Sequence, residues 1–146
     1  MKKVFTISSF LVLSVLLLAG CSKSGVIYDD HNNDNYWLSK ENGVVVYSDG
    51  YCPYYVVETY NGYTIIRATG GYTPIEGDEI YGDLSRRGYR DLYNYSDDAI
   101  IRGEVTDYWL SYEEAQYIID NTCYAYNKTS SPSPKKAITK GLLKKK

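Results

Sequence analysis

The chain has 146 residues and a formal net charge of −2, and 18 of its residues are tyrosine. All eighteen acidic residues fall between positions 22 and 127, against seven basic ones, whereas residues 128–146 hold seven lysines and no acid. This acidic body argues against a nucleic acid partner, which would require a contiguous basic face. The single histidine, His31, lies in a polar stretch near the start, so a histidine-based catalytic relay on the folded domain is excluded.

The first twenty residues have the pattern of an export signal. Lys2 and Lys3 precede an apolar run over residues 4–18, which is shorter than the roughly 20 residues needed to span a hydrocarbon core. The run ends in Leu18-Ala19-Gly20-Cys21, which resembles the lipobox of bacterial lipoproteins. The resemblance implies that residues 1–20 are removed by signal peptidase II and that the sulfur of Cys21 carries a diacylglycerol.

The same resemblance implies a location. In this family, an aspartate directly after the lipidated cysteine tends to retain the protein in the inner membrane of Gram-negative cells. Here that position holds Ser22. We therefore expect a protein of the bacterial cell envelope, held at the outer membrane by its lipid anchor.

Residues 21–42 are polar, rich in Asp and Asn, and without periodicity, which predicts a spacer between the lipid and the folded domain. An alternative is a twelve-residue calcium loop, whose positions 1, 3, 5 and 12 would be Asp30, Asn32, Asp34 and Glu41. Asn35 stands where the sharp turn of such a loop requires glycine. We favour the spacer, and we expect no metal or other cofactor.

From residue 43 to 127 the sequence predicts a small β domain. A first strand covers residues 44–47, and a hairpin follows in which residues 54–60 and 63–69 are joined by Asn61-Gly62. A two-residue loop at this point pairs Val57 with Ile66 and Tyr55 with Ala68, and these four side chains should face the core.

A second hairpin is predicted from residues 79–84 and 89–95. Its register is ambiguous, because a loop of four residues and a loop of five are both compatible with the pattern. A last long strand over residues 100–108 should point Ile101 and Val105 inward.

One helix follows the strands. Ser111 and Glu114 form a capping box, and the apolar stripe continues through Ala115, Ile118, Ile119 and Thr122 to an end near Asn121. The fold class is therefore mainly β, either a small antiparallel barrel of the OB or SH3-like kind or a meander sheet, with one C-terminal helix. Residues 128–146 predict a disordered, lysine-rich tail, which could lie on an anionic membrane or fold back on the acidic body.

Cys52 and Cys123 are predicted to form a disulfide. Export exposes both thiols to oxidising conditions, and these two remain once Cys21 carries lipid. The alternative is a pair of separate buried thiols that act as small apolar residues.

Three classes of function remain open. The first is a structural or protein-contact role in the envelope, since an anchor, a spacer and a small domain are all that the sequence displays. The second is a glycan- or peptide-binding module that uses exposed tyrosines, although tyrosine is also an ordinary strand residue and Trp37 and Trp109 should seal the core. The third, which we disfavour because we expect no enzyme, is a hydrolase with paired carboxylates drawn from Glu76, Asp78, Glu79, Asp83, Asp91, Asp97 and Asp98.

Overall fold

The computed structural model describes residues 34–127 and 136–142. The predicted signal peptide, Cys21 and residues 21–33 of the predicted spacer lie outside the described residues. The elements, in chain order, are α1 (Asp34–Leu38), β1 (Glu41–Asp49), β2 (Cys52–Thr59), β3 (Gly62–Ala68), β4 (Glu79–Gly82), β5 (Gly88–Asn94), β6 (Ala99–Leu110) and α2 (Tyr112–Asn127).

The six strands form a closed antiparallel barrel in the order β1-β2-β3-β6-β5-β4, and β4 returns to pair with β1. The prediction of a mainly β fold with a small barrel and a C-terminal helix is confirmed, and the meander alternative is excluded by this closure. Gly43 permits β1 to pass close to β2, because a Cβ at that position would lie 2.5 Å from the carbonyl oxygen of Glu58.

Strands β1, β2 and β3 are buried on both faces, which explains their consecutive apolar residues. Tyr55 and Val57 point into the barrel, whereas Val56 between them points outward under α2. The predicted core face is confirmed: Tyr55, Val57 and Ile66 are buried inside the barrel, with Ala68 packed against them. The interior is completed by Val45, Ile80, Leu84, Leu92, Ile101 and Val105.

The register of the first hairpin differs from the prediction by two residues. Thr59 pairs with Gly62, so the loop is Tyr60-Asn61 and Tyr55 faces Ile66. The Thr59 hydroxyl closes this loop, because it accepts a hydrogen bond from the Asn61 amide at 3.3 Å and donates one to the Gly62 carbonyl at 2.9 Å. A slip of two residues leaves every side chain on its predicted face, since the side-chain period of a strand is two.

The second hairpin adopts the register of the five-residue loop, with Ile80 opposite Asn94 and Tyr81 opposite Tyr93. Strand β4 ends at Gly82, earlier than predicted, so Asp83 lies beyond the ladder that would have set it opposite Asp91. The acidic pair that this register implied is therefore not formed across the two strands.

Helix α2 begins with the predicted capping box. The Ser111 amide donates to the Glu114 carboxylate at 2.8 Å, and the Glu114 amide donates to the Ser111 hydroxyl at 3.3 Å. These bonds lower the pKa of Glu114. The helix continues to Asn127, six residues past its predicted end, because Cys123 on its last turns is buried against the barrel.

The disulfide between Cys52 and Cys123 is confirmed, and its two Cα atoms lie 5.4 Å apart. It joins the start of β2 to α2 beneath a second apolar cluster on the outer surface of the barrel. This cluster contains Val46, Tyr47, Val56, Ile65, Ala115, Ile119 and Ile138.

Two predicted boundaries of the domain are wrong. Residues 34–42 were assigned to the spacer, but they form α1 and the start of β1, because Trp37 packs on Tyr93 with ring centroids 6.1 Å apart. Residues 136–142 were assigned to the disordered tail, but they lie along the barrel with Ile138 only 3 % exposed. In both cases one packed side chain, Trp37 or Ile138, ties the segment to the barrel.

Candidate ligand-binding groove

A groove of about 420 Å³ lies beside α1, where this short helix meets the ends of β4 and β5. It is lined by three aromatic, two basic and two acidic residues and one isoleucine: Tyr36, Trp37, Tyr89, Lys40, Arg90, Asp83, Asp91 and Ile100. Its volume falls within the roughly 300–1,000 Å³ that is usual for small-molecule sites.

An aromatic strip runs from α1 across the neighbouring strands. Trp37 contacts Tyr36 edge-on at 5.1 Å and stacks on Tyr93 at 6.1 Å, and the strip continues through Tyr95 to Tyr81. Tyr36 and Tyr89 are each at least half exposed, at 50 % and 61 %. The groove therefore offers aromatic surface to solvent while the rest of the strip holds α1 in place.

The charged residues of the groove are oriented by neighbours. The Lys40 ammonium lies 4.6 Å from the centre of the Tyr36 ring, and Asp91 pairs with Arg102 at 2.8 Å. Arg90 donates to the carbonyl oxygens of Tyr89 and Arg87, each at 2.7 Å. These contacts fix two cationic side chains and one carboxylate along the groove wall. The planar guanidinium and carboxylate groups can form hydrogen bonds with a ligand there.

Two N–H groups of groove residues lack an acceptor within the described part of the chain. They are the indole Nε1 of Trp37 and the Nε of Arg90, and both are shielded from solvent. A buried donor without an acceptor costs free energy, so such groups in a native structure require an explanation. Both residues line the groove, but neither N–H group is open to it.

The acidic residues considered for hydrolysis separate into distinct environments. Asp83 and Asp91 line the groove. Asp78 and Asp97 both accept a hydrogen bond from the Asn94 amide nitrogen, at 2.9 Å and 3.2 Å. The remaining contacts pair Glu76 with Lys136, Glu79 with Asn42 and Tyr81, and Asp98 with Tyr93.

The cluster around Asn94 has a structural explanation. Asn94 is fully buried, and Asp78 is 5 % exposed and also accepts the Ile75 amide at 3.0 Å. Tyr72 joins through its hydroxyl, which donates to Asp97. These bonds close the loop before β4 onto the end of β5, so the carboxylates are engaged in holding the chain.

Trp109 does not seal the core, contrary to the prediction. It is 59 % exposed, its φ is 58°, and its Nε1 donates to the Ser85 hydroxyl at 2.8 Å. The residue lies near the end of β6, where the chain turns into α2. Of the two tryptophans, Trp37 is the one that packs against the barrel, where it stacks on Tyr93 and forms part of the groove wall.

Five tyrosines are predicted to resist ionisation until the protein unfolds. Burial, followed by nearby carboxylates, raises the pKa of Tyr47, Tyr63 and Tyr81 to about 12, and burial also raises the pKa of Tyr55 and Tyr72. A folded-state pKa above the unfolded value of about 10 means that this contribution to stability is complete below about pH 10 and is lost as the pH rises towards about 12.

An absorbance titration of tyrosinate alongside circular dichroism checks this prediction. The five residues should ionise together with loss of the fold, and in denaturant all tyrosines should titrate near pH 10. Ionisation of every tyrosine near pH 10 while the fold persists would contradict it.

Within residues 34–127 and 136–142, no cluster of three or more His, Cys, Asp or Glu side chains could hold a metal ion. No helix in this part of the chain is both long enough and apolar enough to cross a membrane. Two residues of the alternative calcium loop, Asp30 and Asn32, lie outside the described residues. Of the other two, Asp34 begins α1 and Glu41 begins β1, where its carboxylate accepts the Ser85 hydroxyl at 2.8 Å.

Comparison with known proteins gives no match to a family model, to a curated protein or to a solved structure. The sequence did not single out Tyr36, Lys40, Tyr89 or Arg90 as site residues. The available signal was the adjacent aromatic pair Tyr36-Trp37 in an otherwise polar stretch.

Proposed function

We propose that this protein is a lipid-anchored component of the bacterial cell envelope, and that its barrel is a non-catalytic domain that binds glycan chains in the groove beside α1. The observation that carries the proposal is the groove wall, where exposed aromatic rings stand beside fixed cations and carboxylates. The resemblance of Leu18-Ala19-Gly20-Cys21 to a lipobox supports the envelope location.

A glycan fits this wall on chemical grounds. Sugar rings have apolar faces that can lie on Tyr36, Trp37 and Tyr89, and Tyr and Trp combine an apolar body with a polar tip. Sugar hydroxyls both donate and accept, which matches a wall containing Asp83 as well as Arg90. Envelope glycans would lie within reach of a domain held at the membrane.

Two alternatives are less well supported. A role in protein contact is favoured by the ion pairs on the outer faces of β3, β5 and β6, which join Arg67 to Glu104 and Arg102 to Asp91. These pairs are largely exposed and contribute little energy, so they carry less weight than the groove. Hydrolysis is not favoured, since Asp91 of the groove is already paired with Arg102.

A matched pair of tyrosine variants tests the proposal. Tyr89→Ala removes a groove ring that is 61 % exposed, and Tyr117→Ala removes a ring on α2 that is 71 % exposed and does not line the groove. With soluble oligosaccharides released from peptidoglycan as the probe, we expect Tyr89→Ala to weaken binding about tenfold, as for an aromatic anchor, and Tyr117→Ala to leave it unchanged. Calorimetry measures both, and equal affinity for the two variants would contradict the proposal.

A further inference from the structure

The segment 136–142, which we call the tail segment, occupies a defined site on the outer surface of the barrel. Only Ile138 of this segment is buried, and its side chain completes the apolar cluster between β1, β2, β3 and α2. The rest of the tail segment is exposed. The arrangement is that of an extended peptide held by one apolar anchor in a pocket.

The main chain of the tail segment is bound directly. The Ile138 amide donates to the Gln116 side-chain oxygen at 2.8 Å, and the Tyr112 hydroxyl donates to the Ile138 carbonyl at 3.4 Å. The Thr139 amide donates to the Val46 carbonyl of β1 at 2.9 Å. Main-chain bonds with a side-chain pocket at one position are the means by which domains recognise extended peptides.

The lysines on both sides of Ile138 have defined contacts with the folded domain. Lys136 lies 2.7 Å from the Glu76 carboxylate and donates to the Ser48 carbonyl at 2.7 Å. Lys140 lies 3.6 Å from the centre of the Tyr112 ring. The tail segment therefore places one lysine on a carboxylate two residues before the anchor and another on an aromatic ring two residues after it.

We propose that this face is a peptide-binding site, specific for an extended Lys-x-Ile-x-Lys segment, and that its ligand is the tail segment, which it binds in the same chain and should also bind as a free peptide. The tail segment forms no helix or strand of its own, and one buried side chain anchors it. Because the tail segment is part of the same chain, its effective concentration at the site is on the order of mM. It is therefore mostly bound only if the Kd of the same segment as a free peptide is below about 1 mM. This inference does not rest on glycan binding.

The test uses residues 22–146, which are the expected mature chain without the lipid-bearing Cys21, and a synthetic peptide of residues 134–146 with a fluorescent label. Ile138→Asp in the chain should release its own tail segment and open the site. The control Ala137→Asp adds the same charge at the exposed neighbouring position. We expect the Ile138→Asp chain to bind the peptide with a Kd below about 0.1 mM, and the wild-type and Ala137→Asp chains to bind it at least tenfold more weakly, because their own tail segment fills the site at an effective concentration on the order of 1 mM.

Three results would overturn the proposal. They are no binding to a folded Ile138→Asp chain, equal binding to all three chains, and equal binding of a peptide that itself carries Ile138→Asp. If the Ile138→Asp chain does not fold, the smaller change Ile138→Ala replaces it. Independently, the Thr139 amide of the wild-type chain should exchange at least tenfold more slowly than a free peptide amide, and exchange at the free rate would also overturn the proposal.

Discussion

Replacing Cys52 and Cys123 together by alanine is expected to lower the free energy of unfolding by about 4 kcal/mol. The two cysteines are separated by 71 residues, so their bond closes a loop over most of the folded domain. In the chain-entropy treatment a loop of this length restricts the unfolded ensemble by that amount. A domain of this size has roughly 5–15 kcal/mol of stability in total, so the loss would be a large fraction of it.

Urea unfolding followed by tyrosine fluorescence measures this loss. Alanine is the appropriate replacement because both cysteines are buried, at 3 % and 5 % exposed, and a serine hydroxyl would add the cost of an unpaired polar group. Wild-type protein unfolded in the presence of reductant serves as the control and should lose a similar amount. A loss below about 1 kcal/mol in both cases would contradict the expectation that the disulfide supplies a large part of the stability of the domain.

Replacing Cys21 by alanine is expected to abolish lipidation and cleavage completely. The lipobox resemblance implies a cleavage site before Cys21 and a lipid on its sulfur, so the variant should accumulate as an unprocessed precursor that still carries residues 1–20. The expected change is all or none, because alanine has no sulfur to which the lipid could be attached. Mass spectrometry of the N-terminal peptide measures it.

Ser22→Asp provides the matched control for this experiment. It leaves Cys21 in place, so lipidation should be complete, while the protein should move from the outer to the inner membrane according to the sorting habit of the family. An unmodified Cys21 in the wild-type protein, or a mature chain that begins at another residue, would end the proposal of a lipid anchor.

Local chemistry accounts for the features that the sequence predicted correctly. The capping box of Ser111 and Glu114 is formed by neighbours three residues apart, so no distant contact is needed to position it. The core positions Tyr55, Val57 and Ile66 follow from strand alternation, which a register slip of two residues leaves intact. The disulfide between Cys52 and Cys123 could be predicted because export favours oxidation of thiols, and these are the two cysteines that remain once Cys21 carries lipid.

The errors arose where a tertiary contact decides the structure. Asn61-Gly62 predicts a turn, but Gly62 instead lies beside β6, where a Cβ would come within 2.6 Å of the Leu110 carbonyl oxygen. The lysines and prolines of residues 128–146 predict disorder, and the contacts of Ile138 with Gln116 and Tyr112 cannot be read from that composition.

The groove could be predicted only in part. The exposed tyrosines were recognised as possible ligand contacts, and Tyr36 and Tyr89 do line the groove. Their meeting depends on α1 packing against Tyr93 through Trp37, a contact between residues 56 positions apart in the sequence. A contact between residues so far apart in the sequence cannot be predicted from a local sequence pattern.

The two tryptophans of the chain allow the central claim, that the groove binds glycan, to be tested in one measurement. Trp37 lines the groove and Trp109 does not. In a nuclear magnetic resonance titration of residues 22–146 with oligosaccharides released from peptidoglycan, the Trp37 indole N–H signal should shift as a sugar ring packs against the indole, together with the amides of Tyr89 and Arg90. The Trp109 indole signal should stay in place. A spectrum in which no groove signal shifts, or in which Trp109 shifts and Trp37 does not, would contradict the account.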